Sequence, residues 1–302
     1  MEFVIPSEEA KMPVTQIVIV DQTHHIDPTL LHNAALALNS QVTQDLPQFW
    51  SGITANVSSV SALSALPTGA WPVFLVHSLP PGEGGYHLDR HNQPYAKVIA
   101  SPDDDSWTVD ASHEIIEMLI DPYGNRMQSS EAIAISGNDV IDRPGVFHYL
   151  VEGCDPCEAN EFAYDIAGIA LSDFITPHFY DASATPATRY SFKGSIKRPR
   201  QLLPGGYISY VQPDGTWNQV LWVDPSQPPR YHNLPVAAEN RSWREAIHTA
   251  MGAKLDAAKH HQRRKKGGLP KAMLERITEH RSRYAAKDRE AMLRERYLID
   301  KS

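Results

Sequence analysis

The residues best suited to chemistry lie in the stretch Ala111-Ser112-His113-Glu114-Ile115-Ile116-Glu117-Met118-Leu119-Ile120-Asp121-Pro122. On a helix, residues four apart share one face, with Cβ atoms about 6 Å apart. His113 and Glu117 therefore present an imidazole and a carboxylate side by side, a pair able to grip one metal ion. Glu114 is turned about 100° around the axis, beside that pair rather than stacked on it. From there its carboxylate can take a proton from a water held at the ion, which makes it the candidate general base. The remaining residues of the stretch are mostly apolar. Burying them brings one His and two Glu into the interior, which is costly unless those charges serve a purpose. The plain alternative is an ordinary helix whose polar residues face water.

The flanking sequence suggests how such a helix is held. Residues 15–20 (TQIVIV) form a β-branched run that predicts a buried strand. Asp27 and Pro28 are a good N-cap and a good first helical residue, and apolar residues at helical spacing then predict a helix over 29–50. Further strands are expected at 56–66, 71–78 and 95–100, with a Gly/His-rich loop over 80–94. The chemical helix is expected over about 110–120, stopped by Asp121-Pro122-Tyr123-Gly124-Asn125. A hairpin around 140–152, a turn at 154–157 and more strand over 162–174 follow. Beyond a Pro/Gly-rich region, 198–235, with short strands at 207–211 and 219–223, the chain from Glu239 predicts one or two helices broken at Gly267-Gly268-Leu269-Pro270. The plan is α+β with one mixed sheet. The domain division is 1–235 for the body and 236–302 for a basic helical tail.

The stretch ASHEIIEMLIDPYGN, followed by YLVEGCDPCE and ALSDFITPHFY, resembles a group of zincin-like proteins of bacteria and their phages. In that group a HExxE helix ending in Asp-Pro precedes a Val-Glu-x-Cys-Asp-Pro turn and a Ser-Asp-Phe strand. Gly205-Gly206-Tyr207 and the Asp-Gly-x-Trp at 214–217 are similar too. The resemblance spans about residues 15–235. It implies a metallopeptidase-type fold whose fourth strand, expected here at 95–100, forms a sheet edge where an extended peptide pairs through its main chain. It implies that His113 and Glu117 are ligands and Glu114 the base of a peptidase acting on peptide or protein.

Glu117 stands where a second His is commoner. Two carboxylates and one His leave a Zn²⁺ site formally neutral, so the ion is a weaker Lewis acid than at three His. Zn²⁺ is the expected metal, and harder ions such as Ca²⁺ or Mn²⁺ suit the same donors. The third ligand comes from a returning segment in the zincin arrangement. Asp155 is the first candidate and Glu152 the second, while Asp121 reads better as the residue that stops the helix and shapes its turn.

Other signals are weaker. Cys154 and Cys157 form one C-x-x-C, half of a Cys₄ site, and read as a packed structural pair. His87 and His91 have ligand spacing but read as a solvated loop. Tyr86, Tyr164 and His178 are the candidates for stabilising a transition state, with none preferred.

The 302 residues carry 36 acidic and 28 basic groups, a net charge of −8. Residues 236–302 hold 17 of the basic groups and 9 of the acidic ones, a net of +8, which leaves −16 on residues 1–235. So acidic a body repels phosphate, which argues against simple nucleic-acid binding there. The basic run 259–266 instead suggests docking on an acidic surface, including another copy or a larger assembly such as a phage particle. Nucleic acid is a further possible partner of the tail alone. A non-catalytic assembly protein on a zincin scaffold is therefore the alternative to a peptidase. No apolar run reaches the roughly 20 residues of a membrane span. The N-terminal residues do not resemble a secretory leader, so synthesis is expected in the cytoplasm.

Overall fold

A computed structural model of the chain describes residues 14–79, 84–101, 104–234 and 242–249. Its first half places four successive strands between two helices: β1 (Thr15–Asp21), α1 (Pro28–Ser40), β2 (Ala55–Val60), β3 (Trp71–Val76), β4 (Gly85–Arg90), β5 (Gln93–Ile99) and α2 (Trp107–Ile120). Asp27 caps α1 as expected, its Oδ1 accepting from the amides of Thr29 and Leu30 at 2.9 and 3.0 Å. The helix ends earlier than its periodicity suggests. It passes into a π turn over Gln41–Asp45 and a 3₁₀ turn over Leu46–Gln48. The wider turn lets Gln41 point inward, where it is fully buried.

The five strands form a sheet of order β2-β1-β3-β5-β4. β1 pairs in parallel with β2 and β3, β3 in parallel with β5, and β4 antiparallel with β5. Two expectations are corrected here. Residues 80–94 are not simply a loop, because β4 runs through them. The edge of the sheet is β4, whereas the strand expected at 95–100 is the inner strand β5. The cause is the two-residue connection His91-Asn92, both at positive φ (55° and 61°). That is the backbone of a tight hairpin turn, built here without the glycine that usually announces one.

Beyond α2 lies a second sheet of order β12-β11-β10-β7-β6, all antiparallel, in place of the single mixed sheet expected. Its strands are β6 (Met127–Ser136), β7 (Asp139–Leu150), β10 (Tyr207–Val211), β11 (Trp217–Leu221) and β12 (Arg230–Asn233). The expected hairpin at 140–152 thus begins at Met127, with Gly137 at φ 58° in its turn. Residues 162–174 supply only a small hairpin, β8 (Tyr164–Ile166) with β9 (Ile169–Leu171). The molecule is α+β, with one mixed and one antiparallel five-stranded sheet.

Every residue of α2 is buried, so its polar side chains do not face water. The helix lies against β4, β5 and β9. Ile115, Ile116 and Met118 join the main apolar core with Leu75, Val98 and Phe174. A buried polar network locks it to the π turn that follows α1. Ser112 Oγ donates to Gln41 Oε1 (2.8 Å) and accepts from the Ser172 amide (3.0 Å), while Gln41 Nε2 donates to Tyr164 Oη and Ser172 O. Such satisfied networks fix one packing arrangement, since any slip would leave polar groups unpaired in a low dielectric. Among the described residues no helix is long and apolar enough to cross a membrane. The basic run at 259–266 and the break at 267–270 lie outside the described residues.

Candidate metal centre

α2 carries His113 and Glu117 on one face. His113 Nε2 lies 3.2 Å from Glu117 Oε2. Residues 151–158 return across that face, and His113 Nε2 is also 3.1 Å from Asp155 Oδ1. A tetrahedral ion about 2.0–2.2 Å from each donor spaces its donors roughly 3.3–3.6 Å apart, close to both distances. The structure therefore brings Asp155 to the pair on the helix, and Glu152 lies in the same carboxylate cluster. Asp121 is used differently. Its Oδ2 accepts from the Arg126 amide at 2.7 Å, closing the turn that ends the helix.

The returning loop approaches closely because two glycines let it. A Cβ on Gly153 would sit 2.6 Å from Ile120 Cδ1, and one on Gly206 only 2.4 Å from the Asp155 carbonyl oxygen. The loop also orients a ligand. The Cys154 amide donates to Glu117 Oε1 at 3.1 Å, leaving Oε2 turned toward His113. The cysteines themselves are buried and form no disulfide. Burial pushes both thiols well up, Glu117 adding to the shift at Cys154 and Asp173 at Cys157. Cys154 nevertheless lies with His113 and Glu117 in a group that could hold an ion, which would itself deprotonate the thiol.

One residue of the cluster was read differently from sequence. His87 is 1% exposed on β4 rather than solvated in a loop. Its Nδ1 is 3.0 Å from Glu114 Oε2 and 3.5 Å from Glu117 Oε2. Burial opposes ionisation of Glu114, but the hydrogen bond from His87 and the charge on His113 prevail, lowering its pKa to about 2. An ionised acceptor puts the proton of His87 on Nδ1. A period-two reading of β4 puts the apolar Tyr86 and Leu88 on one face and His87 on the other, yet His87 is the one buried residue of the strand, so no local pattern marked it.

Arg244, in the helical turn 243–249, also reaches the cluster. Its Nη1 is 2.6 Å from Glu152 Oε2 and 3.4 Å from Glu117 Oε2. Burial works against the guanidinium charge, yet Glu152, Tyr207 and Glu117 raise its pKa well above the ordinary value. One guanidinium does not offset several buried carboxylates. Burial, with Glu117 and Asp155 nearby, keeps the Glu152 carboxyl well above its usual range despite Arg244. Burial likewise disfavours a charged His113, but Glu117, Asp155 and Glu114 outweigh it and raise its pKa well above 6.5.

The fit to a cation rests on atoms left over. His113 Nε2 and Glu117 Oε2 are buried and make no hydrogen bond among the described residues. Buried polar atoms are nearly always satisfied, and a divalent cation bridging the two would satisfy both. Of the other residues singled out from sequence, Tyr164 is bonded to Asp45 at 2.8 Å, away from the cluster. His178 is half exposed and paired with Asp181, and Tyr86 packs at a tilt against His248 with ring centroids 4.8 Å apart. Comparisons with known protein families, with curated proteins and with solved structures returned no match.

Proposed function

We propose that the protein is a metal-dependent hydrolase of zincin type that acts on peptides. His113, Glu117 and Asp155 would hold the ion, and Glu114 would accept the proton. The observation that supports this reading is the convergence of His113 Nε2, Glu117 Oε2 and Asp155 Oδ1 in the interior, the first 3.2 and 3.1 Å from the other two, with no hydrogen bond to His113 Nε2 or Glu117 Oε2 among the described residues. A bound divalent cation supplies Lewis acidity and lowers the pKa of a water beside it. Zn²⁺ suits the donors, and Mn²⁺ or Ca²⁺ suits the high carboxylate content.

The chain's own residues would orient, hold and transfer the proton. Glu114, 3.0 Å from His87 Nδ1, would be the group that takes it. A carboxylate with a pKa of about 2 binds a proton weakly, so proton transfer to it would be less favourable than to a base tuned near neutrality. Glu114 Oε1 lies so close to Gly85 on the edge strand that a Cβ there would come within 3.1 Å of it. An extended peptide paired to β4 would therefore pass beside the base.

A second reading has its own support. Arg244 already neutralises part of the cluster, which fits a metal-free ion-pair network in a non-catalytic assembly protein. One experiment separates the two. Metal content is measured in purified wild type and His113→Ala, and peptide-library cleavage in wild type and Glu114→Gln. The hydrolase reading expects stoichiometric metal in wild type, its loss in His113→Ala, and metal retained but cleavage lost in Glu114→Gln. A metal-free wild type sinks it, and metal without cleavage removes the hydrolase while keeping the centre.

A further inference from the structure

Residues 242–249 belong to the stretch that composition assigns to the basic tail, yet they are seated on the body. The Arg244 amide donates to the Gly124 carbonyl at 3.0 Å, and the Trp243 amide to Asn125 Oδ1 at 3.0 Å. Gly124 has φ 59°, and a Cβ there would lie 2.4 Å from the Cβ of Arg244. Only glycine allows both the turn and the approach. The Trp243 ring packs on Trp217 with centroids 4.6 Å apart, and Ile247 is buried with Leu150, Tyr207 and Leu221. His248 reaches Tyr86 on the edge strand β4.

This seating delivers a cation to the oxygen that an ion would need. Glu117 Oε2 is 3.2 Å from His113 Nε2 and 3.4 Å from Arg244 Nη1. Arg244 Nη1 is also 3.7 Å from Asp155 Oδ2. Like charges sharing one buried oxygen repel strongly, because the low dielectric screens them poorly. The same segment touches β4, where an extended peptide would pair.

We propose that residues 242–249 form an intramolecular strap whose Arg244 guanidinium is a tethered stand-in for the metal's charge, so that strap and ion compete for Glu117 and Asp155. The strap is then an autoinhibitory contact. With it seated, the cluster is held neutralised without an ion and part of the edge strand is covered. With it withdrawn, the carboxylates turn to the ion and β4 is cleared. This rests on the metal-centre reading above.

The test uses the full chain as wild type, Arg244→Met and Trp243→Ala. Zn²⁺ and Mn²⁺ affinities are measured by chelator competition, with folding checked by circular dichroism. Arg244→Met leaves Glu152 without its guanidinium and is the variant at risk of misfolding. Trp243→Ala keeps the arginine and only loosens the seat, so it decides the matter if Arg244→Met does not fold. Tighter metal binding in a folded variant, by about tenfold, supports the strap, that being a usual size for coupling between two ligands. Unchanged or weaker binding in the folded variants overturns the strap and leaves the metal centre standing. Absence of binding by every form overturns both.

Discussion

His113 and Glu117, one turn apart on α2, bring a ring nitrogen and a carboxylate oxygen to 3.2 Å in the interior, and neither atom makes a hydrogen bond among the described residues. Helices bury such groups only where something else binds them. Without an ion, that something is protons and one guanidinium, and this fixes the pH behaviour of the cluster.

The metal-free protein is expected to be most stable in mild acid. His113 has a folded pKa above 6.5, so its stabilisation is full below 6.5 and is lost as pH rises through the folded value. Glu152 is raised above 4.5 and acts in the same direction from 4.5 upward. Glu114, lowered from 4.5 to about 2, contributes above 4.5 and loses that contribution as pH falls toward 2. In the presence of a chelator, melting temperature should peak between the ordinary values of 4.5 and 6.5. Added Zn²⁺ should raise it more at about pH 8 than at about pH 6, because the ion displaces protons. A chelated protein whose melting temperature climbs steadily to pH 8 would contradict this.

His87→Ala is expected to free Glu114 from its strongest stabilising contact. Burial then acts with less opposition, and the Glu114 carboxyl should titrate well above about 2. The lost hydrogen bond and side-chain volume should together cost roughly 2–4 kcal/mol. Carbon-13 NMR of the Glu carboxyls and urea unfolding measure the two effects. An unmoved titration would mean that His87 does not hold Glu114.

Gly206→Ala is expected to damage the centre from outside it. Its Cβ would meet the Asp155 carbonyl oxygen at 2.4 Å and the Pro156 carbonyl carbon at 2.9 Å, both backbone atoms that cannot rotate away. The turn Asp155–Cys157 would have to shift, withdrawing Asp155 from His113. A loss of about 1–3 kcal/mol in stability is expected, together with reduced metal content. Wild-type stability and metal stoichiometry in this variant would show that the turn is not fixed by the glycine.

The sequence by itself determined what local periodicity can carry. His113, Glu114 and Glu117 follow from residue spacing on one helix, which is a property of 3.6 residues per turn and not of the rest of the chain. The cap of α1 at Asp27, the helix stop at Asp121 and strand β10 at Tyr207–Val211 are local in the same way. Asp155 and Glu152 were legible only as candidates, because which returning carboxylate meets a helix depends on how the loop packs.

Tertiary structure alone decided the rest. His87 reaches Glu114 because a hairpin turn without glycine folds β4 back along β5. Arg244 lies past the charge boundary at 235, yet a bare glycine and a pair of tryptophans seat it against carboxylates far earlier in the chain. Composition averages charge along the chain. An electrostatic cluster depends on distance in space, and only the packing of the sheet edge, the central helix, the returning loop and the strap supplied that distance.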